Sequence, residues 1–197
     1  VSNNYADTQG RLEAEQGIAV NEVDYDAFAA MVDRQVAAGV DFLVPLGTTG
    51  ETPCLSSDER IAILKIAREH AQGRPVIVGG GTNSLNDTIA SIRTLEPYGP
   101  DAFLIVVPYY NKPTQEGIYQ YYKAVAAATD KPVIMYNVPG RTGVNMLPAT
   151  TLRLAREVRN IIAVKEASGR MDQVMEEEDL PVSMAAIAQR KESGAYA

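Results

Sequence analysis

The sequence predicts an α/β fold of repeated βα units around a parallel sheet, on three observations. Apolar runs centred near Val44, Val78, Ile105, Ile134 and Ala163 alternate with segments of helical periodicity at a nearly constant spacing. Several of these runs are continuously apolar, as expected of strands buried on both faces. Polar and aromatic residues gather just after each run, the position where barrel enzymes carry their chemistry. Such units close into an eight-stranded barrel or lie open as a doubly wound sheet. The open form is disfavoured because Gly47-Thr48-Thr49-Gly50 lacks the G-x-G-x-x-G spacing, Gly79-Gly80-Gly81 lacks the third glycine, and no Walker loop is present. The expected fold is therefore of the (β/α)8 TIM-barrel type. It is shortened to about five or six βα units, since a closed barrel takes about 250 residues and this chain has 197.

Taken in order, residues 1–22 read as a tail without clear structure, charged and interrupted by glycine. Asp24 then caps a helix carrying Phe28, Met31, Val32, Gln35 and Val36, closed by Gly39 in the left-handed position. A strand follows over Val40–Leu46, leaving through Gly47-Thr48-Thr49-Gly50-Glu51. Ser56 and Glu59 form a capping box for a helix running to about His70. Pro75–Val78 is the next strand, with a glycine exit at Gly79–Gly81. Ser84 or Asn86 caps a helix through Leu95, and Ala102–Val107 is a strand ending at Pro108-Tyr109-Tyr110-Asn111. Thr114 opens a helix through Ala127, and Pro132–Tyr136 leaves by Asn137-Val138-Pro139-Gly140-Arg141-Thr142-Gly143. Pro148 suits the first turn of a helix through Val158. The last strand, Ile161–Lys165, is followed by a short helix from about Gly169 to Glu177. The catalytic unit is placed at 23–175, with a divergent segment over 176–197.

Composition narrows the function classes. A net charge of -7 with scattered signs argues against a nucleic-acid surface, and no block of like charge marks a membrane patch. One cysteine, Cys54, excludes an internal disulfide and a cysteine metal cluster, and fits a reducing cytoplasmic setting. One histidine, His70, argues against a Ser-His-Asp machine or a histidine-rich metal site; it reads as a helix-end residue. The polar stretch Val1–Gly10 reads as neither a secretory signal nor a membrane span.

The run Ile161-Ile162-Ala163-Val164-Lys165 ends on an amine and turns at once into Ala167-Ser168-Gly169. A lysine at the carboxyl end of a buried strand is expected to lose hydration, which lowers its pKa and leaves a nucleophile. A strand-end lysine that merely snorkels to water is the plainer reading, and only its neighbours decide. If the units lie side by side, Thr48, Thr49, Tyr109, Tyr110, Tyr136, Arg141 and Lys165 share one rim. A lysine that attacks a ketone needs a proton shuttle while the carbinolamine loses water, and Tyr136, one unit away, is the candidate. The threonine hydroxyls relay protons or hold a carboxylate, and Arg141 offers a fork for one. Each has a duller role: threonines cap loops, buried tyrosines pack with a satisfied hydroxyl, and an arginine in a turn faces water. Asn111, Asn137 and Glu51 read as loop holders, and Tyr119, Tyr121 and Tyr122 as packing or a subunit contact.

Four stretches together resemble the dihydrodipicolinate synthase family: Gly47–Glu51, Pro108–Gly117, Tyr136–Gly143 and Val164–Gly169, each at a strand exit. The resemblance runs from about Val23 to about Met175. It implies a pyruvate Schiff base on Lys165, condensed with L-aspartate-4-semialdehyde on the diaminopimelate route to lysine. It also implies a proton relay of Tyr136, Thr48 and Tyr110, the last lent by a neighbouring subunit. Arg141 then binds the semialdehyde carboxylate and Thr49 the pyruvate carboxylate. No metal or organic cofactor is implied. Members are usually homotetramers, dimers of tight dimers, so the resemblance implies a homo-oligomer. Ser57 and Arg60 stand where lysine-sensitive members carry histidines, although Asn83 and Tyr109 are retained, which argues against feedback. Two rivals are a related pyruvate-dependent aldolase and a catalytically silent homologue serving as an assembly partner. The family's first strand and its seventh and eighth are not found, so the pocket is expected to be incomplete.

Overall fold

Four strands form one parallel sheet in the order β1-β2-β3-β4, which is also their order along the chain. The structure, a computed structural model, describes residues 23–177. The tail at 1–22 and most of the divergent segment, 178–197, lie outside the described residues. The elements are α1 (Tyr25–Ala37), α2 (Ser57–His70), β1 (Ile77–Gly79), α3 (Leu85–Leu95), β2 (Ala102–Val106), α4 (Gln115–Ala126), β3 (Val133–Asn137), α5 (Pro139–Thr142), α6 (Pro148–Glu157), β4 (Ile161–Glu166) and α7 (Met171–Glu177). Neighbouring strands joined by helices are what the periodicity predicts for one arc of a βα barrel.

Local chemistry sets the helix ends. The Asp24 carboxylate accepts from the Ala27 N–H, Ser84 from Asp87 and Thr114 from Gly117, so each first turn has one of its unpaired donors satisfied. Ser56 and Glu59 form the full reciprocal box. Gly39 lies at φ +85° just beyond α1, in the left-handed region expected for it. Pro148 occupies the first turn of α6.

Strand alternation sorts side chains between two cores. Val78, Phe103, Ile105, Met135 and Ile161 face the helices and pack on Leu64, Ile92, Ile118, Tyr122 and Leu154. Ile77, Leu104, Ile134, Tyr136, Ile162 and Ala163 form the second cluster, on the barrel-interior side. Burying a Leu, Ile or Phe side chain contributes about 1.5–3 kcal/mol, so the helix-side layer dominates stability. Tyr119, Tyr121 and Tyr122 belong to it, with hydroxyls donating to Glu157, to the Thr82 carbonyl and to the Ile105 carbonyl. They are packing residues with satisfied polar ends. Burial pushes the Tyr121 hydroxyl well above its ordinary range, and Tyr122 likewise.

One strand expectation needs correction. Val40–Leu46 is not a ladder strand. It makes one parallel bridge, Leu43 to Val76, with Leu43 N–H donating to Pro75 and Ile77 N–H to the Leu43 carbonyl. Pro45 has no N–H to extend the ladder, and Leu46 turns away at φ +58°. Nor is the segment buried on both faces, for Phe42 and Val44 are exposed while Leu43 is buried. The expected strand at Ile161–Lys165 is present as β4, and it carries an irregularity. Val133 pairs with Ile161 but Ile134 pairs with Ala163, so Ile162 is an extra, bulged residue. Ile162 and Ala163 consequently both face the interior, and every residue after them is flipped relative to an unbulged strand.

Candidate active site

The bulge decides which way Lys165 points. In an unbulged register Tyr136 would sit opposite Val164; with the extra residue it sits opposite Lys165. Tyr136 and Lys165 thus leave adjacent strands on the same face, and the Lys165 Nζ lies 4.4 Å from the centre of the Tyr136 ring. Among the described residues this amine has no carboxylate partner. It is exposed, which overturns the expectation of an amine stripped of water. The physical reason is position: β4 is the sheet's last strand among the described residues, and Lys165 is its penultimate residue.

Below this pair a cavity of about 250 Å³ opens at the carboxyl ends of the strands. Tyr136, Thr48, Tyr109 and Arg141 of the sequence-predicted rim line it. Lys165 stands beside it over Tyr136, while Thr49 and Tyr110 lie outside its wall. Tyr110 is 87% exposed and held at φ +72°, a costly conformation for a bulky residue. Its N–H donates to the Thr142 carbonyl, which ties the β2 exit loop to α5. Thr48 begins a single 3-10 turn after Gly47, and no hydrogen bond joins it to Tyr136 among the described residues.

The wall needs glycine where loop and strand meet. A Cβ on Gly79 would fall 1.8 Å from the Leu46 carbonyl oxygen, so any side chain there would push the Gly47–Thr48 loop off β1. Buried Tyr136 is steadied from behind, its backbone N–H donating to the Tyr122 hydroxyl, which in turn donates to the Ile105 carbonyl.

Sequence reasoning singled out Arg60 only for feedback and missed it as a residue of the wall; it reaches the cavity from α2 and donates to the Thr52 carbonyl at 2.9 Å. Its distance in sequence from every strand exit hid it, although its place four residues beyond the Ser56 cap puts it on the capped turn. Among the described residues Arg60 and Arg141 give the wall two cations, and no aspartate or glutamate lines it. A cavity of that sign favours anionic guests. The loop holders behave as expected: the Asn111 amide donates to the Asn83 carbonyl, and Asn137 is fully buried and binds the Met146 backbone. Cys54 is exposed and lies outside the cavity wall. His70 ends α2 and pairs with Asp33 at 2.8 Å. No group of acidic, histidine or cysteine residues able to hold a metal occurs among the described residues, and no described helix is long and apolar enough to cross a membrane.

An arc of βα units with a lysine and a tyrosine side by side at its strand ends defines a barrel protein of the lysine-bearing class. Residues 19–182 match the dihydrodipicolinate synthetase family, and the chain belongs to that family. It is 53% identical over 155 residues to the 4-hydroxy-tetrahydrodipicolinate synthase of Phocaeicola vulgatus, an alignment covering 78% of this chain and 52% of that protein. The dihydrodipicolinate synthase of Thermotoga maritima superposes with a TM-score of 0.79 at 44% identity, over 81% of this chain and 54% of that one. The chloride-inhibited enzyme of Acinetobacter baumannii, solved with pyruvate, gives 0.75 at 42% identity, over 78% and 53%. The chain spans about half the length of the curated relatives it matches.

Proposed function

We propose that the chain carries the lysine-bearing part of a 4-hydroxy-tetrahydrodipicolinate synthase site. In this reading the unprotonated Lys165 amine adds to the keto carbon of pyruvate. The carbonyl oxygen is protonated twice and leaves as water, giving an iminium. Loss of a methyl proton yields an enamine, whose carbon attacks the aldehyde carbon of L-aspartate-4-semialdehyde. The new carbon–carbon bond forms as the aldehyde π bond opens, its oxygen takes a proton and the iminium returns; the semialdehyde's own amine then adds to the iminium carbon and displaces the Lys165 amine. Tyr136 handles protons at the lysine, with Thr48 and Tyr110 completing the relay; Arg141 takes the semialdehyde carboxylate and Thr49 the pyruvate carboxylate. The single observation that carries the reading is the Lys165 amine over the Tyr136 ring beside a cavity lined, among the described residues, by two arginines and no carboxylate.

Tyr110 supports a shared site between copies of the chain. Its exposed, left-handed placement outside the wall of its own cavity suits a side chain lent to a neighbouring subunit of a homodimer or homotetramer. A cytoplasmic, cofactor-free enzyme completes this reading. The exposure of Lys165 also favours a second reading, in which the chain alone turns over poorly and serves mainly as an assembly partner. Pyruvate-dependent consumption of the semialdehyde by purified full-length chain separates the two. Turnover supports the synthase reading, and a folded, inert chain favours the assembly reading.

A further inference from the structure

We infer that Asn137 and Glu166 are positioning residues, a side-chain clamp on the helix-facing side of β3 and β4 that holds Tyr136 and Lys165 opposite each other on the cavity side. The inference rests on the reading that those two residues carry the chemistry.

The register supplies the logic. Tyr136 pairs with Lys165, and the next pair along is Asn137 with Glu166. Successive side chains of a strand point to opposite faces, so the reactive pair and the clamp share one stretch of backbone. The Asn137 Nδ2 donates to Glu166 Oε2 at 2.9 Å and to Asn145 Oδ1 at 2.8 Å. Its Oδ1 accepts the Met146 N–H at 3.0 Å. Glu166 Oε2 also accepts from the Gln173 Nε2 at 2.9 Å, and its Oε1 from the Ser168 N–H at 2.6 Å. Gln173 reaches back to the Met146 carbonyl and accepts from Asn145, closing the circuit through α7. The Ala167 N–H donates to the Asn137 carbonyl, so the backbone ladder runs one residue past the strand.

Every hydrogen-bond partner of the Glu166 carboxylate is a donor: the Asn137 amide, the Gln173 amide and the Ser168 N–H. An amide in place of the carboxylate would turn its own donors on at least one of them, so Gln cannot replace Glu here despite equal size. The clamp matters because β4 is paired only with β3 among the described residues. Lys165 is therefore held from one side. Slack at Glu166 translates into displacement of the amine from Tyr136, and misplacement by about 1 Å costs on the order of 100-fold in rate.

The test uses the full chain and two variants, Glu166→Gln and Thr151→Ala. Thr151 bonds the Leu147 carbonyl and Glu177 in the same neighbourhood but touches neither clamp residue, so its loss is a structural control. Borohydride trapping of labelled pyruvate gives the rate of adduct formation, and amide hydrogen exchange reads the Ala167 N–H. Glu166→Gln is expected to slow trapping at saturating pyruvate by on the order of 10–100-fold. The half-saturating pyruvate concentration should change less than about two-fold, as for an interaction made in the transition state. Ala167 should exchange faster while the helix-side core stays protected, and Thr151→Ala should leave trapping and Ala167 exchange unchanged. Equal trapping, or unchanged Ala167 exchange, in Glu166→Gln overturns the clamp. If the parent chain traps no pyruvate, the reading of Lys165 fails separately, and Ala167 exchange still decides whether the clamp exists.

Discussion

The two faces of the β3–β4 pair are built on opposite principles. On the helix-facing side nearly every polar atom is spoken for: Asn137, Asn145, Glu166 and Gln173 form a closed circuit. On the cavity side Lys165 meets an aromatic ring, and Arg141 lines the wall with no ion-pair partner among the described residues. Satisfied buried polar groups rigidify, whereas unpaired ones at a cavity are available to a ligand. One stretch of backbone thus does two jobs, and a single bulged residue, Ile162, decides which side chains do which.

The comparison can be broken first from the cavity side. Tyr136→Phe keeps the ring under the amine and removes the hydroxyl, so pyruvate adduct formation should fall about 10²–10⁴-fold, as general acid–base contributions do, with thermal stability nearly unchanged. Equal trapping by Phe would remove Tyr136 from the relay. The reverse perturbation is Leu154→Ala. Leu154 is fully buried on α6, and the cavity it leaves should cost about 2–5 kcal/mol by urea denaturation, with the trapping rate of the folded fraction intact. A lost rate in a folded chain would show that the two faces are not separable.

The smallest effect sharpens the boundary between the faces. Burial, followed by repulsion from Glu166, pushes the Glu177 carboxyl up from its ordinary 4.5 to about 7. The folded chain then binds more protons than the unfolded chain between those values, so its stability should fall as pH rises from about 4.5 to about 7. Glu177→Gln keeps an acceptor for Thr151 and should flatten that slope, raising the melting temperature at pH 8 by roughly 2–4 °C for each kcal/mol recovered. An unchanged pH profile of melting would mean that Glu177 is not held protonated by its surroundings.

Much of the fold was legible because its determinants are local. The caps at Asp24, Ser56, Ser84 and Thr114 are three-residue signals, and β1 to β4 announce themselves as short apolar runs. What escaped depends on single-residue backbone events. Pro45 and the left-handed Leu46 reduce an apolar run to one bridge, and no composition rule places the bulge at Ile162. In the site, Thr48, Tyr136 and Arg141 were found because strand exits share a rim. The exposure of Lys165 was not, because burial at the end of a strand is set by what packs beyond it rather than by the strand's own residues. Asn137 was legible as a loop holder but not as Glu166's partner, since register across the sheet joins them.

The most direct test is to locate the adduct. After borohydride reduction with labelled pyruvate, peptide mapping by mass spectrometry of the full chain should place the label on Lys165 and leave Lys65, Lys112, Lys123, Lys131 and Lys191 unmodified. Label spread over those other lysines at similar levels, or absent from Lys165, would contradict the claim that the bulged strand delivers a reactive amine to the cavity mouth.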